Sequence, residues 1–316
     1  SKDEVSHSCK NKAEILQDAP MYKNKIIGWV GLGVMGEPMC RHLLDAGYQL
    51  AVFSRTREKS DRLTDAGARW CDSPSLLAEH CDVVFTMVGT ADEVRDVYFS
   101  ERGLFSVAIE GKIFIDMGTT APALTAEIAE YVRGQGAACI DAPVSGGDVG
   151  ARSASLSIMA GGQAGLIDEV KPLFDCLGNV QYMGEEGSGQ HTKMCNQITV
   201  AGTMIGVCEA LLYAQRAGLD ADKMIAVVSR GAAACWALDN LAPRIIQQDY
   251  EPGFMVDHFI KDLGIAIDEM KIMGLDLPGL SLAIRLYQKV SDIGHGSSGS
   301  QALILALQQC EDDAGF

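Results

Sequence analysis

Ile26-Ile27-Gly28-Trp29-Val30-Gly31-Leu32-Gly33-Val34-Met35-Gly36 decides the fold. The first five residues read as a buried strand. Glycines at 31, 33 and 36 follow at once, and a helical pattern runs over 35–46 and stops at Gly47. Strand, glycine turn and helix in that order open a dinucleotide-binding βαβ unit. The first glycine permits the tight turn, the second lets backbone approach a pyrophosphate, and the third allows close helix–strand packing. The helix N-terminus then offers unpaired N–H groups and a favourable dipole to phosphate. With 34 glycines in the chain, G-x-G-x-x-G arises by chance, so the weight comes from the strand–turn–helix context.

Outward from this stretch, apolar runs alternate with helical patterns. Strands are expected at 49–53, 83–88, 113–116 and 138–141, and two more at 156–160 and 180–183. Alternation of this kind implies a parallel sheet covered by helices. After Gly189 strand signals nearly vanish, and a long helix starts near Ser188 and passes Tyr213. The reading is an α/β Rossmann-type N-terminal domain plus an all-α C-terminal domain, joined by a long interdomain helix. Its expected parts are a mobile N-terminal extension at 1–23, the cofactor domain at 24–187, and a helical substrate and oligomerisation domain at 188–316.

Composition narrows the function. The 316 residues are 47% hydrophobic, enough for two cores, and 26 Lys plus Arg against 42 Asp plus Glu give a net charge of -16. Such a surface repels phosphate backbones and anionic membranes, which argues against nucleic-acid or membrane partners. No uninterrupted apolar run reaches the roughly 18 residues of a membrane span. Ten cysteines stand singly, without C-x-x-C or Cys/His metal spacing, so they read as reduced residues of an intracellular chain and no metal is expected. The start is polar and of mixed charge, unlike a signal peptide. The expected place is the cytoplasm or an organellar matrix.

The end of the second strand bears on the cofactor. NAD sites usually carry Asp or Glu there, accepting from the ribose. Here the residues are Ser54-Arg55-Thr56, and a guanidinium suits a 2′-phosphate, with Lys59 one turn on. The expectation is NADP over NAD; a solvated surface arginine is the plain alternative.

Lys193, Asn196 and Gln197 fall at i, i+3 and i+4 of the long helix, on one face. The face is expected at the domain junction, where clefts form. A lysine there can donate to a carbonyl oxygen as charge develops during hydride transfer. In reverse its neutral amine can take the alcohol proton. A snorkelling helix lysine fits the spacing equally well. Asp141-Ala142-Pro143-Val144-Ser145-Gly146-Gly147 ends a strand in glycines, where the N–H groups of Ser145, Gly146 and Gly147 can hold a carboxylate; a structural turn is the alternative. Lys261-Asp262 reads by default as an exposed ion pair.

Together these segments resemble the β-hydroxyacid dehydrogenase family over about residues 25–309. Gly31-Leu32-Gly33-Val34-Met35-Gly36 is similar to its cofactor signature and 141–147 to its substrate signature. Gly187-Ser188-Gly189-Gln190-His191-Thr192-Lys193-Met194-Cys195-Asn196-Gln197 is similar to its G-x-G-x-x-x-K-x-x-N catalytic segment, and Lys261-Asp262-Leu263 to its late K-D-L element. The resemblance implies Lys193 as acid/base, with Asn196 orienting substrate beside it. It implies that Ser145, Gly146 and Gly147 hold a substrate carboxylate, and that Thr119 contacts both cofactor and substrate. Val88 and Gly89 would line the cofactor, Lys261 would lie over it, and Asp262 and Phe254 would stand near the substrate. A homodimer or homotetramer is implied too. Gln197 is implied at the substrate, in a position where many members have a second Asn, and its extra methylene shifts the amide.

The activity implied is hydride transfer between nicotinamide and a small carboxylate-bearing β-hydroxy acid or its semialdehyde, of 3-hydroxyisobutyrate dehydrogenase type. Alternatives within enzymes are a glyoxylate or succinic semialdehyde reductase, a serine dehydrogenase, and an imine reductase, against which Lys193 counts. A non-catalytic dinucleotide-binding scaffold is the alternative of another class.

Overall fold

The computed structural model describes residues 22–313. They divide into two compact units, with the division between Lys193 and Met194. Residues 1–21 of the expected N-terminal extension lie outside the described residues. Its next residue, Tyr22, is buried, and its hydroxyl donates to Glu169 at 2.5 Å.

The first unit opens with β1 (Ile26–Val30), α1 (Gly36–Asp45), β2 (Gln49–Phe53), α2 (Asp61–Asp65) and β3 (Arg69–Trp70). It continues with α3 (Pro74–His80), β4 (Val83–Thr86), α4 (Ala91–Phe99), β5 (Ile113–Asp116), α5 (Pro122–Gly134), β6 (Ala138–Asp141) and β7 (Val144–Ser145). The remainder is α6 (Gly147–Ser153), β8 (Leu156–Gly161), α7 (Ala164–Asp175) and β9 (Gly178–Gly184). The strand order is β3-β2-β1-β4-β5-β6-β8-β7, with β9 on β8. From β3 to β6 every pair is parallel, in the doubly wound order 3-2-1-4-5-6. β8 runs antiparallel to β6 and β7 and parallel to β9.

Parallel strands bury both faces, and alternate side chains enter alternate cores. Ile27 and Trp29 of β1, Phe85 of β4 and Ile115 of β5 join Met39 and Leu43 of α1 and Phe174 of α7. Trp29 stacks on Phe85 at 5.2 Å between ring centres. Val30, Val84 and Phe114 face the other way, onto Leu77, Val97 and Ile128. Two sheet segments escaped the sequence reading: β3 and β7 are two residues each, too short to show a period. β4 ends at Thr86, so Met87 and Val88 belong to the loop that follows it.

The second unit is helical: the rest of α8 (Ser188–Arg216), then α9 (Ala221–Val228), α10 (Trp236–Asn240), α11 (Ala242–Ile246), α12 (Val256–Ile272), α13 (Pro278–Val290) and α14 (Leu303–Asp313). Its core gathers Met204 and Cys208 of α8, Phe259 and Leu263 of α12, Tyr287 of α13 and Leu303 of α14. Among the described residues, α8 is the one helix whose length and mean hydropathy, 1.4 over 18 residues, suffice to cross a bilayer. Counting uninterrupted apolar runs does not reveal it, because polar residues interrupt the run. A core helix has the same profile: 44% of that window is buried inside the fold, and Lys193 and Gln197 in the first turns of α8 are buried and hydrogen-bonded.

Candidate active site

The three glycines of the 31–36 turn meet three different demands. Gly31 has φ +98°, and a Cβ there would lie 2.3 Å from the Met87 carbonyl oxygen in the loop after β4. A Cβ on Gly36 would lie 2.0 Å from the Gly31 carbonyl oxygen. Both positions are dictated by the protein itself. At Gly33 an added Cβ meets nothing within 4 Å, so no contact within the chain requires glycine there. Leu32 is buried, Gly33 and Val34 are exposed, and no side chain caps α1 at Met35. An open glycine before an uncapped helix N-terminus fits a ligand's phosphate brought close to backbone.

At the end of β2, Ser54 is buried and Arg55 and Thr56 are exposed. The Arg55 guanidinium donates to Glu93 of α4. The other Glu93 oxygen accepts from the Gly89 N–H at 2.7 Å and the Thr90 N–H at 3.1 Å, completing a capping box with Thr90. Partial burial works against ionising Glu93. The Gly89 N–H, Arg55 and the Thr90 N–H outweigh it, and the carboxyl is held below its usual range. Lys59 is exposed.

The ends of β5 and β6 are buried and polar. Asp116 accepts from Thr86 Oγ1 at 3.0 Å, from the Gly118 N–H at 3.1 Å and from Thr120 Oγ1 at 2.5 Å. These bonds shape the loop that carries Thr119. Asp141, its neighbour in register, accepts the N–H of Gly187 at 2.7 Å and of Gln190 at 2.8 Å. It therefore satisfies two donors at the start of α8. Burial pushes the Asp141 carboxyl up to about 6, against the N–H groups of Gly187 and Gln190, and Asp116 adds to the rise. Gly189 is required here: a Cβ would stand 2.3 Å from the Met159 carbonyl oxygen and 2.5 Å from that of Asp141.

Gln190, fully buried, grips the Thr119 loop on both sides. Its Nε2 donates to the Gly118 carbonyl at 2.9 Å, and its Oε1 accepts from the Thr120 N–H at 3.0 Å. One turn on, Lys193 is 8% exposed, and its Nζ donates to the Val144 carbonyl oxygen at 2.8 Å. That oxygen directly precedes Ser145, Gly146 and Gly147, where Gly146 has φ +130° and Gly147 φ +62°. The lysine, the 145–147 loop and the Thr119 loop thus belong to one bonded network within the first unit. Gln190 in this network, and Glu93 beside Arg55, are the residues that sequence reasoning did not assign. The only signal for Glu93 was the Thr90-x-x-Glu93 capping pattern, which marks a helix start and says nothing about Arg55.

In the second unit, Asn196 Nδ2 donates to Gln197 Oε1 at 2.7 Å, and Gln197 Nε2 donates to Asp262 at 2.6 Å. Lys261 Nζ lies 2.8 Å from the other Asp262 oxygen. With side chains 24% and 3% exposed, this ion pair is not the surface pair expected from sequence. The extra methylene of Gln197 is what its reach to Asp262 uses. Phe254 is half-buried, edge-on to Phe259 at 5.5 Å. No signal in the sequence ties Gln197 to Asp262, 65 residues away.

A doubly wound sheet opened by a phosphate-type glycine turn, followed by a helical unit, defines a class: dinucleotide-dependent oxidoreductases with an appended helical domain. Residues 26–184 match the family described as the NAD binding domain of 6-phosphogluconate dehydrogenase. Residues 187–307 match the one described as the NAD-binding of NADP-dependent 3-hydroxyisobutyrate dehydrogenase. The chain belongs to the β-hydroxyacid dehydrogenase family of NAD(P)-dependent oxidoreductases. It is 47% identical over 287 residues to the probable 3-hydroxyisobutyrate dehydrogenase-like 1, mitochondrial, of Arabidopsis thaliana, covering 90% of this chain and 86% of that one. It is 36% identical over 283 residues to 2-hydroxy-3-oxopropionate reductase of Escherichia coli, with 89% and 97% covered. Among solved structures, Mycobacterium tuberculosis 3-hydroxyisobutyrate dehydrogenase with L-serine aligns at a TM-score of 0.81 and 30% identity, over 90% of this chain and 99% of that one.

Proposed function

We propose that this chain is an NADP-dependent dehydrogenase or reductase of a small β-hydroxy acid and its semialdehyde, with Lys193 as its proton donor and acceptor. The observation that carries the reading is the buried Lys193 amine on the Val144 carbonyl, directly before the 145–147 loop. A surface lysine on a helix would snorkel to water; this one is held inside, next to backbone suited to a carboxylate. The names of the relatives support the substrate class. 2-Hydroxy-3-oxopropionate, 3-hydroxyisobutyrate and L-serine all pair a carboxylate with an oxygen on the β-carbon.

The glycine turn 31–36 and the loop at Val88 and Gly89 hold the dinucleotide, and Arg55 takes its 2′-phosphate. The description of an NADP-dependent relative family supports that choice. A bound nicotinamide supplies the hydride donor or acceptor. Ser145, Gly146 and Gly147 bind the substrate carboxylate, and Thr119 fixes the reacting end. The Lys193 ammonium donates to the carbonyl oxygen as negative charge grows there, and in oxidation the neutral amine takes the hydroxyl proton. Asn196 and Gln197, with Phe254, Lys261 and Asp262, keep the substrate and cofactor roles that the family resemblance implies. Homo-oligomerisation through the helical unit belongs to the same proposal.

The test is Lys193→Ala. Turnover falls about a thousandfold or more, while the dissociation constant for NADPH stays within a few-fold of the parent. Near-normal turnover refutes the assignment.

A further inference from the structure

The end of β2 carries no carboxylate of its own, yet the fold brings one there. Glu93 stands 38 residues away in the chain, on the first turn of α4, and its carboxylate bonds the Arg55 guanidinium. The two partners are not equal. Glu93 is held by the N–H groups of Gly89 and Thr90 and is 24% exposed, whereas the Arg55 side chain is 74% exposed and has this carboxylate as its partner. The residue is therefore anchored to the same loop whose Val88 and Gly89 are assigned to the cofactor.

We propose that Glu93 is a specificity-determining residue for the cofactor: it holds Arg55 and so lowers the preference for a 2′-phosphate over a 2′-hydroxyl. To bind a 2′-phosphate, Arg55 must leave or share a carboxylate, and the phosphate then lies beside a second negative charge. A 2′-hydroxyl faces neither penalty and can itself donate to the carboxylate, as acidic residues at the end of β2 do in NAD sites. Arg55 favours NADPH and Glu93 tempers it, which gives a site that accepts both cofactors. This inference rests on the reading of the glycine turn and Arg55 as the adenosine side of the cofactor site.

Equilibrium titration of the full chain with NADPH and with NADH, followed by nicotinamide fluorescence, tests it without knowledge of the substrate. The proteins are the parent, Glu93→Gln, Arg55→Ala and the double variant. Glutamine keeps the acceptor that the capping box needs and puts an amide NH2 toward Arg55, which removes the charge and the bond to the guanidinium together. In Glu93→Gln the ratio Kd(NADH)/Kd(NADPH) rises about three- to fivefold, the range that a largely exposed ion pair carries. In Arg55→Ala the ratio falls, and adding Glu93→Gln to that background raises it by less than it raises the parent's, because only the direct action of the carboxylate on the 2′ group is left to remove. An unmoved or lowered ratio in Glu93→Gln, with Arg55→Ala still lowering the parent's, overturns the role of Glu93 and leaves the NADP reading standing. A general loosening of the loop is one such outcome, since it weakens both cofactors alike. If Arg55→Ala leaves the parent's ratio unmoved, the NADP reading fails and the inference with it.

Discussion

The carboxyl ends of the parallel sheet hold two kinds of polar contact. At β2, Arg55 and Glu93 form a side-chain pair open to water. At β5 and β6, Asp116, Asp141, Gln190 and Lys193 are buried and bonded to backbone of the two loops and of α8. Exposed pairs contribute about 0–1 kcal/mol and exchange partners readily, whereas stranding one buried polar group costs about 1–3 kcal/mol or more. On the proposed function, the buried end is where proton and carbonyl meet, and its bonds hold that place fixed. The exposed end is adjustable, and cofactor preference can drift there without disturbing the chemistry.

The largest effect on stability expected at the buried end comes from Asp141. Its folded carboxyl titrates near 6 against the usual 3.8. Between those values the folded chain holds a proton that the unfolded chain has released. Stability therefore falls as pH rises through that window, by about 3 kcal/mol from this group alone, and stays lower above it. Urea unfolding of the parent and of Asp141→Asn at pH 4 and pH 7 reads the effect of Asp141 together with its coupling to Asp116, because the groups that do not interact with Asp141 cancel between them. Equal pH dependence in the two proteins breaks the contrast between the ends.

Next is Gln190→Ala, which releases both sides of the Thr119 loop. Turnover drops about 100-fold, the effect of roughly 1 Å of misplacement, with cofactor affinity kept within a few-fold. Comparable losses in both quantities would mean that Gln190 only supports the fold. The glycine turn offers a smaller and sharper version of the same contrast. Gly33→Ala leaves the unfolding midpoint unchanged and weakens NADPH binding about tenfold. Gly36→Ala lowers the unfolding midpoint, because its Cβ meets the Gly31 carbonyl. Smallest is Gln197→Asn in the second unit. It gives up the 2.6 Å bond to buried Asp262, and urea unfolding should show a loss of about 1–2 kcal/mol. No loss would return Gln197 to the role of a spare amide.

What the sequence made legible follows from local rules. A strand, three spaced glycines and a helix are adjacent in the chain, so their chemistry can be read from order alone, and the start of α8 and the placing of Lys193, Asn196 and Gln197 on one helix follow from helical spacing. Partners across the fold are another matter. Arg55 reads as an unopposed cation until topology delivers Glu93, and Gln190 looks like one more helix residue until the Thr119 loop reaches it. Asp141 reads as the first residue of a substrate segment; its capping of α8 depends on the approach that Gly189 allows. Lys261-Asp262 reads as a surface pair because adjacency in sequence carries no information on burial.

The proposed reaction is hydride transfer to a short carboxylate-bearing carbonyl compound. A panel of small semialdehydes, with 2-hydroxy-3-oxopropionate among them, followed by loss of NADPH absorbance, tests it most directly. The prediction is turnover of at least one member by the parent protein and turnover lower by about a thousandfold or more in Lys193→Ala, with NADPH still bound. Tight NADPH binding by the parent without oxidation by any member would contradict it and point to a dinucleotide-binding scaffold.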